Sequence, residues 1–325
     1  MRWRLLTWIC LSLVVFTAGL VSYFSVRKPL PTAPSGPVGL QISPAIESRR
    51  AEAVRSNSAT TDDVLAQIIT ARLSQDPQWL EKAVSLYPNN PSLLLAQYEQ
   101  APDDASRAAL LTNFREVEPD NALGPFLEAG IAARQGDPTA LARALTDAAL
   151  APDFNRHELA LLLATDKTLR DSGLSDAEAM AQASQPLAPS TLNDLEQVGK
   201  GMGELQRVLI GLGEWDEADF LLEQTLNLSG RLQSEPLLAD NFAGLVIESQ
   251  LLSALDPETV IDWQGTRAGD RLQMLDQEWV QLRQAARTLT PTRRETLTPA
   301  QWADYRERLA TQGERAALEA LTEER

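Results

Sequence analysis

Along residues 191–213, TLNDLEQVGKGMGELQRVLIGLG, apolar side chains fall at Leu192, Leu195, Val198, Met202, Leu205, Leu209 and Leu212. The intervals are three or four throughout, which lays a single apolar stripe along a helix. NALGPFLEAGIAARQGD repeats the pattern with Leu123, Phe126, Leu127, Gly130 and Ile131 on one face. RLQMLDQEWVQLRQAARTLT gives Leu272, Leu275, Trp279, Leu282, Ala286 and Leu289, a 3-4-3-4-3 seam like that of a coiled coil but shorter than a coiled coil needs. Further on, Thr298 is placed to cap a helix that starts at Pro299 and carries Trp302, Tyr305 and Leu309 on its apolar face. Alternating runs of β-branched residues are not found, so strands are not expected and the chain reads as all-α.

The helical stretches are interrupted at regular intervals. Pro88, Pro119, Pro152 and Pro186 each follow an apolar stretch, 31, 33 and 34 residues apart. Pro88 and Pro119 are followed by Asn or Asp, the grammar of a helix stop and a new N-cap. Secondary breaks lie at Asp76-Pro77, Pro102-Asp103, Gly136-Asp137-Pro138 and Ser172-Gly173. Each unit therefore reads as helix, turn, helix, stop. A period near 34 residues with that order predicts an α-solenoid, in which each helix pair buries its apolar face on its neighbour.

In GLGEWDEADFLLEQTLNLSG (211–230), Gly213 ends one helix, Trp215 follows two positions later, Ala218 opens the packing face of the next helix and Leu222 supplies a large apolar side chain. In that order the stretch resembles the tetratricopeptide repeat family. WLEKAVSLYPNN matches at Ala83 and Pro88, and Pro119 and Pro152 continue the spacing. Arg107, Asp147 and Thr225 depart from the family pattern, standing where small or apolar residues are usual. The resemblance extends over residues 61–230, five helix pairs. It implies close approach of paired helices at Gly213 and Ala218, a gap between pairs filled by Trp215, and a concave groove, lined by the first helix of each pair, that accepts a peptide or a partner helix. Residues 256–325 are expected to form a helical hairpin that caps the solenoid; the alternative is that its seam joins copies of the chain into a homo-oligomer.

The N-terminus has a different character. Leu5–Val26 is a run of 22 residues without charge, twelve of them Leu, Ile, Val or Phe. Such a run is long enough to cross a ~30 Å hydrocarbon core. Trp3, Trp8, Tyr23 and Phe24 sit toward its ends, where aromatic rings favour the interface. Small residues at Thr17-Ala18-Gly19 offer a signal-cleavage alternative, but the apolar run continues for seven residues beyond Gly19, which favours an uncleaved single-pass anchor. Arg2 and Arg4 precede the run and Arg27 and Lys28 follow it, so charge flanks both ends. The short N-terminal tail and acidic body favour a body outside the cytoplasm, at the plasma (inner) membrane on its periplasmic side; the opposite orientation is the alternative. Five prolines within Pro29–Pro44 make the next segment an extended spacer. The organisation expected is thus an anchor over 1–28, a proline-rich linker over 29–59, helical repeats over 60–255 and a helical cap over 256–325.

Charge and chemistry narrow the function. The first 28 residues hold four cations and no acid, leaving 25 basic and 45 acidic residues, net −20, in the rest. A body of that sign repels nucleic acid. Cys10, the single cysteine, lies in the apolar run, and His157 is the single histidine, so neither a disulfide nor a zinc site is expected. Gly199–Glu204, GKGMGE, lacks the order of a phosphate loop and lies on the helical stripe, where glycines serve close packing. Acid pairs such as Asp62-Asp63, Asp103-Asp104 and those of Glu214–Asp219 stand at expected helix starts, where carboxylates cap free N–H groups. No cofactor, metal or catalytic residue is expected. The expectation is a membrane-anchored scaffold that binds a protein or peptide, with a self-associating structural subunit, and more remotely an unrecognised enzyme, as alternatives.

Overall fold

The structure is a computed structural model and describes residues 68–70, 73, 77–184 and 189–323. The expected anchor Leu5–Val26, the proline-rich linker and Pro186 lie outside the described residues. Within them, every regular element is an α-helix, and backbone bridges are confined to two isolated pairs, Asn121 with Asp153 and Val260 with Arg267. Among the described residues no helix is long and apolar enough to cross a membrane.

The helix boundaries follow local chemistry. Helix α1 (Pro77–Leu86) stops before the Pro88 turn, and α2 (Pro91–Gln100) starts with Asn90 accepting from Leu93 N–H. Asp103 caps α3 (Asp104–Val117) through Ser106 N–H, and α3 ends before Pro119. After α4 (Leu123–Gln135), Asp137 caps α5 (Pro138–Leu150), which stops before Pro152. Helix α6 (Glu158–Asp171) is followed by α7 (Asp176–Ala183), where Ser175 and Glu178 form a reciprocal capping box. The long α8 (Pro189–Leu212) leads into α9 (Trp215–Ser234) and α10 (Leu238–Leu252). The C-terminal part contains α11 (Ala268–Thr288), the single turn α12 (Pro291–Arg294), α13 (Pro299–Gln312) and α14 (Glu314–Glu323). Thr298 caps α13 with Gln301 in a second capping box, at the position its sequence marks.

One joint recurs. Gly136, Gly173 and Gly213 separate α4 from α5, α6 from α7 and α8 from α9, and all three have left-handed backbone, φ +67°, +89° and +79°. At the last, Gly213 N–H donates to Ile210 C=O at 3.1 Å and Glu214 N–H to Leu209 C=O at 3.0 Å. That double bond satisfies the free carbonyls of the α8 terminus. The pairs α2–α3, α4–α5, α6–α7 and α8–α9 each pack as hairpins.

Stacking of the hairpins does not follow chain order. Helix α8 packs on α4 and touches α2, passing over the α6–α7 hairpin. The approach is close: a Cβ on Gly130 of α4 would lie 2.7 Å from Val198 of α8, and one on Gly199 of α8 would lie 2.6 Å from Ile247 of α10. The displaced hairpin packs sideways. Leu161 of α6 clusters with Leu80, Ala83 and Leu93, and Leu169, Leu174 and Ala179 with Ile69 and Leu73. On its other side Leu162, Met180 and Ala183 join the C-terminal core. An ionic joint fixes it there: Arg306 of α13 donates from Nε to Asp166 at 2.7 Å and from Nη2 to Asp176 at 2.6 Å. The expectation of pairs that touch only their chain neighbours is therefore corrected. The physical reason is α8, which at 24 residues spans about 36 Å and carries small residues on more than one face.

Two cores result. The first joins α2 to α5 with α8, α9 and α10 through Phe114, Phe126, Leu145, Leu195 and Ile247. The second joins α6, α7, α10, α11, α13 and α14 through Met180, Leu245, Leu275, Trp302 and Leu309. Helix α10 serves both, with Ala243 and Ile247 on one side and Leu238, Leu245 and Leu252 on the other. Its polar residues Asp240, Asn241 and Glu248 are buried as well, and the two carboxylates are paired with Arg156 and Arg271. The seam of α11 is consumed in the second core: Leu275, Leu282 and Leu289 are buried and only Ala286 of the seam is exposed. It is covered within the chain by α10 and α14, so it offers no continuous strip to a second copy.

Candidate functional site

The repeat residues divide by role. Ala83, Ala218 and Leu222 are buried. Pro88, Pro119 and Pro152 lie in the breaks after α1, α3 and α5. Gly213 has open space within 4 Å of where a Cβ would stand, so its role is the left-handed turn and not close helix approach. Trp215 is 60% exposed and fills no gap between pairs. At α4 the surface expected to line a groove is covered. Helix α4, first of its pair, has buried residues on every side, and α8 lies across it.

Polar groups in the interior hold elements together. Tyr98 of α2 donates to Asp194 of α8 at 2.8 Å, and Arg107 and Arg134 approach the same carboxylate at 3.7 Å. Burial, with Asp194 beside it, pushes the Tyr98 phenol far above its ordinary range. Glu248 of α10 receives Arg271 of α11 at 2.6 Å and the Ser229 hydroxyl of α9 at 3.2 Å. Arg156 pairs with Asp240 where both are nearly inaccessible, at 6% and 1%. His157 reaches Glu118 at 2.9 Å at the start of α6, a helix-end contact. Among the described residues no group of three His, Cys, Asp or Glu side chains is arranged to hold a metal.

The most conspicuous surface group is Trp263, 91% exposed, between α10 and α11. The segment around it is tied at each step. Asp256 accepts from Glu258 N–H at 2.9 Å. Val260 bridges to Arg267, and Ile261 N–H donates to Thr266 C=O at 2.9 Å. At the tip, one oxygen of Asp262 accepts from the N–H groups of both Gln264 and Thr266 at 2.9 Å. Hydrogen bonds from Thr266 and its neighbours hold the Asp262 carboxyl below the usual carboxylate range. Gly265 takes φ +84°, which lets the chain turn back. At the base, Ala268 N–H returns to Thr259 C=O at 2.9 Å and Gly269 N–H to Pro257 C=O at 3.0 Å.

The loop thus holds an indole in water on an ordered frame. Val260 beside it is 56% exposed. The frame is acidic: Asp256, Glu258, Asp262 and Asp270 stand against Arg267, which pairs with Glu258. Exposure of a whole tryptophan leaves roughly 150–250 Å² of apolar surface unburied, which folding alone does not favour. Periodicity does not single out this loop, because it lies between the helices. Its signal is local, an Asp three residues before a Gly with a Trp between them in IDWQGT. Comparison with family models, with curated proteins and with solved structures finds no match to this chain.

Proposed function

We propose that this protein is a membrane-tethered helical scaffold that docks a partner protein through the Trp263 loop. Its body is read as tetratricopeptide-like hairpins, outside the cytoplasm and held by Leu5–Val26 at the plasma membrane. The observation that carries the docking role is the pairing of full indole exposure with a loop tied by its own hydrogen bonds. Tryptophan is enriched among residues that dominate binding energy, because it offers large rigid area with few rotatable bonds. A frame already ordered spares the partner the entropy of ordering it. The acidic rim selects a partner surface with an apolar pocket and basic surroundings. No chemistry is assigned to the molecule.

The experiment is photo-crosslinking in the native membrane from a reactive group placed at Val260, beside the indole. The expected result is one dominant protein adduct, reduced roughly thirtyfold by Trp263→Ala, as for a hot spot worth about 2 kcal/mol. Trp215→Ala serves as the comparison and leaves the adduct in place. An adduct indifferent to the loss of Trp263 overturns the proposal. A reporter fused after Arg325 checks the orientation, with activity expected only from the extracytoplasmic side.

A further inference from the structure

The acidic body contains one reversal of sign. From Trp279 to Arg294 the chain carries Arg283, Arg287, Arg293 and Arg294 and no acid. Three of these come together where α11 ends, α12 turns and α13 begins, beside the end of α14. An open cleft of ≈ 650 Å³ lies there, walled by Arg287 and Arg293 and by five threonines, with no acidic residue in its lining.

The hydrogen bonds decide what the cleft offers. Arg293 donates from Nη2 to the Leu321 carbonyl of α14, and Arg294 donates from Nε to the Leu289 carbonyl at 3.1 Å. These two guanidinium groups brace the walls. The hydroxyls of Thr288, Thr296 and Thr322 spend their protons on the carbonyls of Gln284, Arg293 and Glu319. Thr290 accepts from Arg293 N–H at 3.3 Å, so its own proton is left to donate. Thr292 and Arg287 have no hydrogen bond or ion pair among the described residues. The charged groups left unspent are donors, the exposed Arg287 guanidinium and the remaining N–H groups of Arg293, with the Thr290 and Thr292 hydroxyls beside them; the acceptors that remain, the hydroxyl lone pairs and the Gln284 amide, are neutral.

We propose that this cleft binds a phosphate group carried on a larger molecule. Donors without a facing acid call for an anion. A carboxylate can also accept a guanidinium fork and hydroxyls, but its acceptor sites lie in one plane; a tetrahedral oxyanion carries more charge and turns oxygens toward donors on several walls at once. The volume is in the range of sites for small organic ligands and well above that of a lone phosphate, and Leu297 and the threonine methyls supply apolar wall for the rest. The positive patch acts at short range, inside a body whose net charge repels anions from afar. Binding is accordingly moderate and weakens with salt. This site is independent of the Trp263 loop.

The test uses the full chain in neutral detergent and isothermal titration with two probes, glycerol phosphate and dihexanoyl phosphatidic acid, with succinate as the carboxylate comparison. At least one phosphate probe is expected to bind at about 1 mM or tighter. Preference for the lipid assigns the site to a headgroup, and equal or better binding of glycerol phosphate assigns it to a soluble ligand. Arg287→Gln lowers the affinity about tenfold, the loss of one charge-assisted contact. Thr292→Val lowers it less. Arg283→Gln, on the same helix but stacked over Trp279 at 5.1 Å, leaves it unchanged. Both substituted side chains of the cleft are exposed, so folding is retained, which a thermal melt verifies. Absence of binding by both phosphate probes, equal binding of succinate, or equal losses from Arg283→Gln and Arg287→Gln each overturns the proposal.

Discussion

Gly213, Trp215 and Leu222 sit within ten residues of one another and respond to substitution for three different reasons. Gly213 holds φ +79° with open space around it, so Gly213→Ala meets backbone strain alone and costs about 1 kcal/mol. Trp215 is 60% exposed, and Trp215→Ala stays within about 0.5 kcal/mol. Leu222 is 7% exposed, and Leu222→Ala costs about 2–5 kcal/mol. Urea unfolding of the three variants is expected to return that order; a Trp215 variant as damaging as Leu222→Ala contradicts the placement of the indole in solvent. A second residue-scale prediction concerns Glu314, whose carboxylate accepts from Leu238 N–H at 2.9 Å. Burial raises its pKa, against the pull of that hydrogen bond and of Arg294. The folded state therefore holds the proton to higher pH than the unfolded chain does. The resulting stability is present below the ordinary carboxylate pKa and is lost as pH rises through the raised one. Glu314→Gln keeps an acceptor and removes the charge. Its unfolding free energy is expected to fall less than that of the parent between about pH 5 and pH 8.

Among the elements, α8 and α10 are where helix propensity and packing oppose each other. A Cβ placed on Gly201 of α8 would meet nothing within 4 Å, whereas one on Gly244 of α10 would lie 2.7 Å from the Ser229 backbone carbonyl. Gly201→Ala is expected to stabilise by about 1 kcal/mol from propensity alone. Gly244→Ala gains the same propensity but must push two helix backbones apart, at about 1–3 kcal/mol, so the net change is neutral to destabilising. Thermal melts of the two variants in opposite directions check this; a rise in Tm for Gly244→Ala shows that α9 and α10 are not in backbone contact. The glycines of GKGMGE were legible as packing residues from their place on an apolar stripe, and this holds for Gly199, set against Ile247. Nothing in the local pattern distinguished Gly199 from Gly201, because the difference lies in α10, nearly fifty residues further along the chain.

For the whole molecule, the shared use of α10 by two cores sets the cooperativity. Removing residues 256–325 uncovers Leu162, Met180, Leu238, Leu245 and Leu252, which the C-terminal helices help to bury. At roughly 1.5–3 kcal/mol for each such side chain, the loss reaches about 7–15 kcal/mol if all are fully exposed, as much as a typical domain has in total. The truncated chain is expected to lose its cooperative thermal transition and to aggregate. Retention of a sharp transition after that deletion would instead mean that the hairpins stand as independent stacked units.

Helices, their caps and the turns between hairpins follow from the order of amino acids alone. Asn90, Asp103, Asp137, Thr298 and the three left-handed glycines act on groups a few residues away, so their effect is written where they stand. Packing in three dimensions was needed to settle that α8 crosses to α4, that α6–α7 turns toward α13, and that Trp302 is buried while Trp215 and Trp263 face water. An apolar stripe states that a face needs cover but not which face supplies it. That choice rests on shape and on close approach between segments far apart in the chain, as at Gly130 with Val198 and Arg306 with Asp166.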